Sequence, residues 1–490
     1  MTAYARVAAA VAATCVAGIP AAAWSQTAPG GSLVDIAEAA DFNALERAAA
    51  RANQATYNQL VGVCGNGIGA GCSEGDLIVF QNTRELVETA NELLGSGSTR
   101  FSLGLDAEGL GFALRWTAAE EMAGQGSATT RFAASQLSAL ATRLSVLRWG
   151  VSGLRTVQNS GDERDIRLAG VARALGAGAG ADVPDDFNRW GSFIDASYGY
   201  GSKDPTDLED AFDFDGEEVT VGIDYRFTPA IVAGAIFGYS AKEIDFDSSL
   251  SIVDGGIESD GVSGLVYGLW EGANLYASVS AGYQVLTHDT TRRITYPSQN
   301  PSVGAVDSTA RSKADSGTVM ATANAGYSWR MGAFSIDPTV DVVYSDTTID
   351  SFTETSIDNI SGSGTDPFNL RIGKQSIESL DVAPSIKFQY VFTPSFGVII
   401  PYVVGRYHFE LSDDARTISA RYADALGQLF GSATDFAVST DVPDDEYYTV
   451  AGGFTVVLPH GLNGFVQYLE VFDFDAYTDS VITAGFRFEF

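Results

Sequence analysis

The chain has 490 residues and a formal net charge of −33, which excludes a nucleic-acid partner because the phosphate backbone would repel it. Hydrophobic residues make up 45% and charged residues 19%, a globular or membrane composition that excludes a disordered chain. With 53 Gly and 20 Tyr but only 4 Met, it favours short β-strands and aromatic girdles over a helical core.

The first stretch reads as an export signal. Arg6 precedes the apolar run Val7 to Gly18, which is too short to span a bilayer, and Ala21 to Ser25 offers small-residue cleavage patterns. Residues 1–25 are therefore expected to be a signal peptide, and Cys15 leaves with it. No later apolar run reaches the roughly 20 residues that a transmembrane helix needs. Cys64 and Cys72 remain in the mature chain. An even pair in an exported protein points to one disulfide, and the intervening GNGIGAG is flexible enough to close so short a loop. A metal site would need further His or Cys nearby, and the sequence offers none there.

Residues 26–160 are expected to form a small, mostly helical domain. From Ser32 to about Gly95 the apolar period is helical. Asp41 is the expected N-cap of the first long helix. In the second, Thr83, Val87, Ala90 and Leu94 share one face, and Gly95 ends it. Together they predict a helical hairpin pinned near its bend by Cys64 and Cys72. Residues 99–117 alternate weakly and read as a short β-hairpin or an extended linker. Ala133, Leu137, Leu140, Leu144, Leu147, Val151 and Leu154 then form an a/d seam. That seam fits packing on the preceding hairpin or self-association. Residues 161–187 form a linker in which GDERDIRLAGVARAL can make a short helix, the candidate for one inside a pore, before GAGAGADVPDD breaks it.

From Arg189 the period becomes two and stays there. Val219, Val221, Ile223, Tyr225 and Phe227 face one way, with Asp224 and Arg226 on the other face. Later strands repeat this with Asp341 and Lys387 on the polar face. The last, SVITAGFRFEF, sets Phe486, Phe488 and Phe490 against Arg487 and Glu489. One charged face, one aliphatic face and aromatic strand ends are what a lipid-facing wall requires. Asp224, Arg226, Asp341, Lys387, Arg487 and Glu489 are accordingly the expected lumen-facing charges. Short turns fall at 228–229, 271–274, 330–333, 393–397 and 459–463, and long polar loops at about 201–215, 243–259, 289–312, 349–368 and 411–444. That alternation, with both ends on the short-turn side, predicts an all-β transmembrane barrel of about 12 antiparallel strands over residues 188–490, in the outer membrane.

Several local stretches of this region resemble the autotransporter β-domain family. They are DGEEVTVGIDYRFTPAIVAGAIFGYS, IDSFTE after VDVVY, PYVVGRYHFELSDDARTISARY, EYYTVAGGFTVVLPHGLNGFVQYLE and ITAGFRFEF. Their order and spacing carry the likeness, although Phe409-Glu410 follows His408 where the family has Glu-Phe. The resemblance implies an outer-membrane barrel of a Gram-negative cell, surrounded by its lipids and lipopolysaccharide. It implies delivery by periplasmic chaperones and insertion by the β-barrel assembly machinery, which reads Phe486, Phe488 and Phe490. It further implies a helix entering the pore before the first strand, with a passenger before that. Here the passenger-like domain is short and helical, and no Asn-Asn pair stands between Gly161 and Trp190 for self-cleavage. The domain is then a surface passenger, a plug or a periplasmic cap.

No catalytic motif emerges. G-x-S-x-G, HExxH and the P-loop are missing, and His288, His408 and His460 are the only histidines. No enzyme, cofactor or metal is expected. The acidic run KDPTDLEDAFDFDGEE reads as a solvated loop, with a calcium site as the sharper alternative. The expected function is anchorage of the helical domain, with or without its translocation. The alternative is an outer-membrane pore for small solutes, plugged or gated by the N-terminal region. The oligomeric state is open.

Overall fold

The computed structural model describes residues 31–126 and 189–489, apart from 70, 119, 247–253, 357–367, 413–414, 425–431, 443 and 459–461. The a/d seam, the linker, the signal segment, His460 and Phe490 lie outside these residues.

The strands, in chain order, are β1 Trp190–Lys203, β2 Phe212–Thr228, β3 Ile231–Phe246, β4 Asp254–Glu271, β5 Leu275–Tyr296, β6 Val306–Tyr327, β7 Trp329–Met331 and β8 Phe334–Ile349. There follow β9 Phe352–Thr353, β10 Thr355–Ser356, β11 Leu370–Ile372, β12 Gln375–Tyr390, β13 Val398–Glu410, β14 Thr417–Tyr422, β15 Phe436–Ser439, β16 Glu446–Val457, β17 Leu462–Phe472 and β18 Tyr477–Glu489. Twelve of these close into an antiparallel barrel: β1 to β6, then β8, β12, β13, β16, β17 and β18. Closure is made by β1 on β18, from Gly191 opposite Glu489 to Lys203 opposite Tyr477. Each barrel strand thus has a hydrogen-bonded neighbour on both sides, which the bilayer interior demands because it offers the backbone no partner.

The facing agrees with the alternation in sequence. On β18, Ile482, Phe486 and Phe488 are 45%, 62% and 48% exposed, whereas Arg487 between them is 5% exposed and points inward. On β5, Leu275, Val279, Tyr283 and Val285 are exposed on the same face. Ten residues of tilted strand give an apolar band of roughly 25 Å, matching the hydrocarbon thickness such barrels present.

β5 and β6 continue past this band, so the expected loop at 289–312 is mostly strand. β5 runs to Tyr296 and β6 starts at Val306. Outside the bilayer the face that pointed to lipid turns polar, and the other face mixes His288, Thr290 and Arg292 with Ile294 and Tyr296, so alternation of hydrophobicity marks these strands poorly. The described parts of the loops after β8 and β13 are structured too. They form a second antiparallel sheet, in the order β15-β14-β11-β9, above the barrel's long-loop end.

The N-terminal helices are α1 Ser32–Ala39, α2 Ala44–Cys64, α3 Glu74–Asn91 and α4 Ala107–Thr117. α2 and α3 form the expected hairpin. Cys64 and Cys72 are joined by a disulfide at its bend, with a Cα–Cα distance of 5.2 Å. The N-cap of α2 is Asn43 rather than Asp41. Asn43 and Glu46 form a reciprocal capping box. Asp41 sits at φ 54 and pairs with Arg47 at 2.7 Å. Gly95, at φ 91, does take the left-handed conformation that stops the second helix. Leu94 does not join the buried face of Thr83, Val87 and Ala90, because the π turn Glu92–Ser96 rotates it into solvent.

Residues 107–117 are a helix, not a hairpin or linker. Asp106 caps it by accepting from the Gly109 amide at 2.8 Å, and Leu110, Ala113 and Leu114 are buried on one face. Gly109 and Gly111 obscured that period; Gly111 is needed where the Glu46 carboxylate closes on the backbone.

The helices share one hydrophobic core with the long-loop end of the barrel. Leu33, Leu60, Leu86, Leu110 and Leu114 belong to the same cluster as Ile294 and Tyr296 of β5 and Leu370, Ile418, Tyr422 and Phe436 of the second sheet. The helical domain is therefore a cap seated on that mouth. The last described residue of the cap, Gly126, lines the barrel lumen, and Arg189 stands at the start of the wall, where its carbonyl accepts from the Arg226 amide at the short-turn rim.

The seam between first and last strands depends on Gly191. It stands opposite Asp224 on one side and Glu489 on the other. The Arg487 guanidinium crosses over it to Asp224 at 2.8 Å, and a Cβ on Gly191 would lie 2.3 Å from Nη2. Gly191→Val is expected to break this pair and lower the temperature at which the barrel loses its folded mobility on semi-native gels. An unchanged transition would show that the seam does not depend on it.

Candidate functional site

Two regions concentrate buried charge: the contact between cap and barrel, and the lumen beneath it.

At the contact, Arg292 near the far end of β5 is the hub. Its Nε and Nη2 donate to Glu354 at 2.9 and 2.7 Å, Nη1 to the Trp116 carbonyl at 3.2 Å, and Nη2 to the Phe368 carbonyl at 2.8 Å. Glu354 also accepts from the Leu370 amide at 2.7 Å. One guanidinium thus ties β5, the loop after β8 and the end of α4. Arg115 of α4 reaches Asp210 at 2.8 Å and Glu120 at 3.1 Å. Arg416 donates to the Ala123 carbonyl at 2.6 Å, and Tyr422 to Asn53 of α2 at 2.7 Å. Lys203 binds Asp441 at 2.8 Å and Glu209 at 3.3 Å, clasping the first and last long loops together.

The run KDPTDLEDAFDFDGEE is therefore not a solvated loop throughout. Lys203, Glu209 and Asp210 are buried in this clasp, and Asp213 to Glu218 already lie on β2. Among the described residues, no three His, Cys, Asp or Glu side chains converge as a metal site would require.

Glu120, Glu121, Asp210 and Glu354 are all buried here, with Arg115 and Arg292 among them. Burial pushes the Glu121 carboxyl up to about 8, Arg292 opposing and Glu354 and Asp210 reinforcing that shift. Burial and the neighbouring Asp210 raise Glu120 well above its ordinary value as well. The docked cap thus holds protons that a released cap gives up near the usual carboxylate value.

In the lumen, the expected charges sit on the inner face. Arg487 joins Asp224 and Glu489, and the Tyr267 hydroxyl donates to Asp224 at 3.3 Å. Arg226 shares the face of Asp224 and is half-buried at the short-turn rim. Asp341 accepts from Asn324 at 2.6 Å and lies 3.5 Å from Arg406. Lys387 holds its ammonium 4.1 Å above the Tyr402 ring. His408 bonds Asp381 through Nδ1 at 2.9 Å and Thr449 through Nε2 at 3.2 Å, while His288 lies buried within β5 between Ser259 and Ser316. Neither histidine is in a turn.

The lumen is two-sided, which alternation did not reveal. Phe193, Val232, Ile236, Leu265, Leu269 and Met320 form an apolar inner cluster on β1, β3, β4 and β6. β3 is apolar on both faces, so its sequence carries no inside-outside contrast. A cavity of about 1060 Å³ runs mainly along β8, β12, β13, β16, β17 and β18, with residues of β1 to β6 such as Ser197, Glu218 and Leu269 also lining it, from Gly126 to Lys387 and Tyr402 near the short turns.

The autotransporter β-domain sequence profile matches residues 192–469. This chain belongs to the autotransporter β-domain family. Solved structures similar to it include the translocator domain of autotransporter NalP from Neisseria meningitidis, with 12% identity, a TM-score of 0.46, and coverage of 67% of this chain and 95% of that one. The β domain of the Bordetella autotransporter BrkA matches with 12% identity, a TM-score of 0.40, and coverage of 62% and 100% respectively. The transport unit of AIDA-I from Escherichia coli gives 12% identity, a TM-score of 0.37, and coverage of 66% and 97%. Among proteins of curated function, none matches this chain.

As an autotransporter β-domain, the chain is an outer-membrane protein that anchors an N-terminal domain. Of its expected terminal signal, Phe486 and Phe488 project from the wall. The family-like IDSFTE segment supplies Glu354, the partner of Arg292, yet its charge gave no hint of that pairing because Arg292 is distant in sequence.

Two outcomes follow. Arg292→Ala, which strands Glu354 in the interface, is expected to destabilise the docked cap by about 3–5 kcal/mol. Denaturation in detergent, followed by Trp116 fluorescence with barrel mobility as control, measures it; a loss under about 1 kcal/mol would remove Arg292 as the hub. Separately, cap release should become easier as pH rises from about 4.5 to about 8, because docking then has to return protons that the released carboxyls have given up. Glu121→Gln should flatten that dependence, and an unflattened profile would exclude Glu121 as its source.

Proposed function

We propose that this outer-membrane protein displays its own helical domain on the cell surface, held as a cap on the long-loop mouth of its barrel. The observation that carries the reading is the shared hydrophobic core of cap and long loops. Outer-membrane barrels place their longer loops outside, so a domain packed among them belongs on that side. The disulfide of the cap suits an exported domain. Residues 1–25 serve as the export signal, periplasmic chaperones carry the chain, and the β-barrel assembly machinery inserts it from the aromatic C-terminal strand. Lipid and lipopolysaccharide then surround the exposed aromatic wall. The role is anchorage rather than catalysis: His288 and His408 are committed to hydrogen bonds within the wall.

A tag placed after Gln26 should be labelled by an impermeant reagent on intact cells. Protection of that tag, with a tag in the β5–β6 connection labelled as control, would sink the surface reading. Deleting Phe490 should sharply reduce barrel in the outer membrane, and an undiminished level would refute its role in assembly.

A second reading is favoured by one observation. The cavity of about 1060 Å³ runs along the lumen and is lined by residues of every barrel strand, giving the barrel room for a solute path beneath the cap.

A further inference from the structure

We propose that this lumenal cavity is a path for small organic cations, recognised at its long-loop mouth by aromatic rings and carboxylates; the proposal rests on the conduit reading above.

The first observation is charge. Among the described residues lining the cavity are 13 Asp and Glu against 4 Lys and Arg. Asp341, Asp381 and Glu410 enter it from β8, β12 and β13. The cations on those strands are engaged nearby: Arg406 lies 3.5 Å from Asp341, and Lys387 lies over Tyr402. A confined aqueous space with low-dielectric walls and excess carboxylate carries a negative potential. It concentrates cations and repels anions. The net charge of −33 over the whole chain deepens the same field at the entrance.

The second observation is the mouth. The His408 ring stacks on Tyr447 with centroids 4.3 Å apart, Tyr447 meets Phe474 at 4.9 Å, and Phe474 meets Tyr477 at 5.2 Å. All four line the cavity, together with Asp381 and Asp444. A small inorganic ion is served by carboxylates alone. An ammonium bearing carbon substituents also gains from ring faces and from the apolar surface they offer. Rings and carboxylates in one mouth therefore fit an organic ammonium better than a metal ion.

The test uses the full chain, and the full chain with Arg292→Ala to loosen the cap, each reconstituted in planar bilayers. Under a KCl gradient the reversal potential should show preference for potassium over chloride. Choline added to one side should block the potassium current at millimolar concentration. Tyr447→Leu or Phe474→Leu should raise the blocking concentration several-fold. Glu410→Gln should reduce the cation preference, and folded gel mobility confirms that each variant forms the barrel. If neither protein conducts, the conduit reading falls and takes this inference with it. If they conduct without cation preference, the conduit stands and the inference is overturned. Cation preference without choline block, or block unchanged in both ring variants, overturns the assignment of the mouth to organic cations.

Discussion

A backbone crossing a bilayer has no solvent to bond with, and that constraint shapes this protein. Every barrel strand therefore needs two neighbours, so β1 closes on β18, and the ends of the barrel domain meet. The closing seam is also where the lumen carries its tightest short-turn ion pair. Arg487 crosses Gly191 to reach Asp224, coupling the last strand to the second across the first. Side-chain choice follows from the same closure. Once the backbone is satisfied, alternate residues are free to face lipid or lumen, and the wall becomes aromatic outside and charged inside.

Above the bilayer the constraint is relaxed, and a different economy of contacts takes over. The strands run on, the loops fold into their own sheet, and the helices bury leucines against them. Burial on this scale carries polar groups with it. Arg292, Glu354, Arg115 and Asp210 are acceptable in such an interior because each finds a charged or carbonyl partner. The surplus of carboxylates makes the seating of the cap sensitive to protons. The cap is thereby part of the barrel's structure rather than a tethered neighbour.

The barrel was legible in sequence because its residues obey a two-residue rule wherever lipid lies on one side. The six inward charges from Asp224 to Glu489 were readable for that reason, as was the hairpin pinned by Cys64 and Cys72. Legibility failed where that contrast disappears. β5 and β6 beyond the band mix polar and apolar residues on their inner face, and β3 is apolar on both faces from Ile231 to Tyr239, so their extent and inner cluster were hidden. α4 was masked by Gly109 and Gly111, whose missing side chains leave gaps in a helical period. The clasp of Arg292, Glu354 and Arg115 joins residues far apart in the chain, and no local pattern announces such a meeting.

The account stands on the cap being seated on the long-loop mouth. Gly104 of the cap and Gln299 of the β5–β6 connection test that directly, since a Cβ built on Gly104 lies 3.5 Å from that of Gln299, within the span of a disulfide. Gly104→Cys with Gln299→Cys, oxidised in intact outer membranes, should form a cross-link that shifts gel mobility and resists alkylation until reduced. Failure to cross-link, while each single cysteine is readily alkylated and the barrel remains folded, would contradict the seated cap.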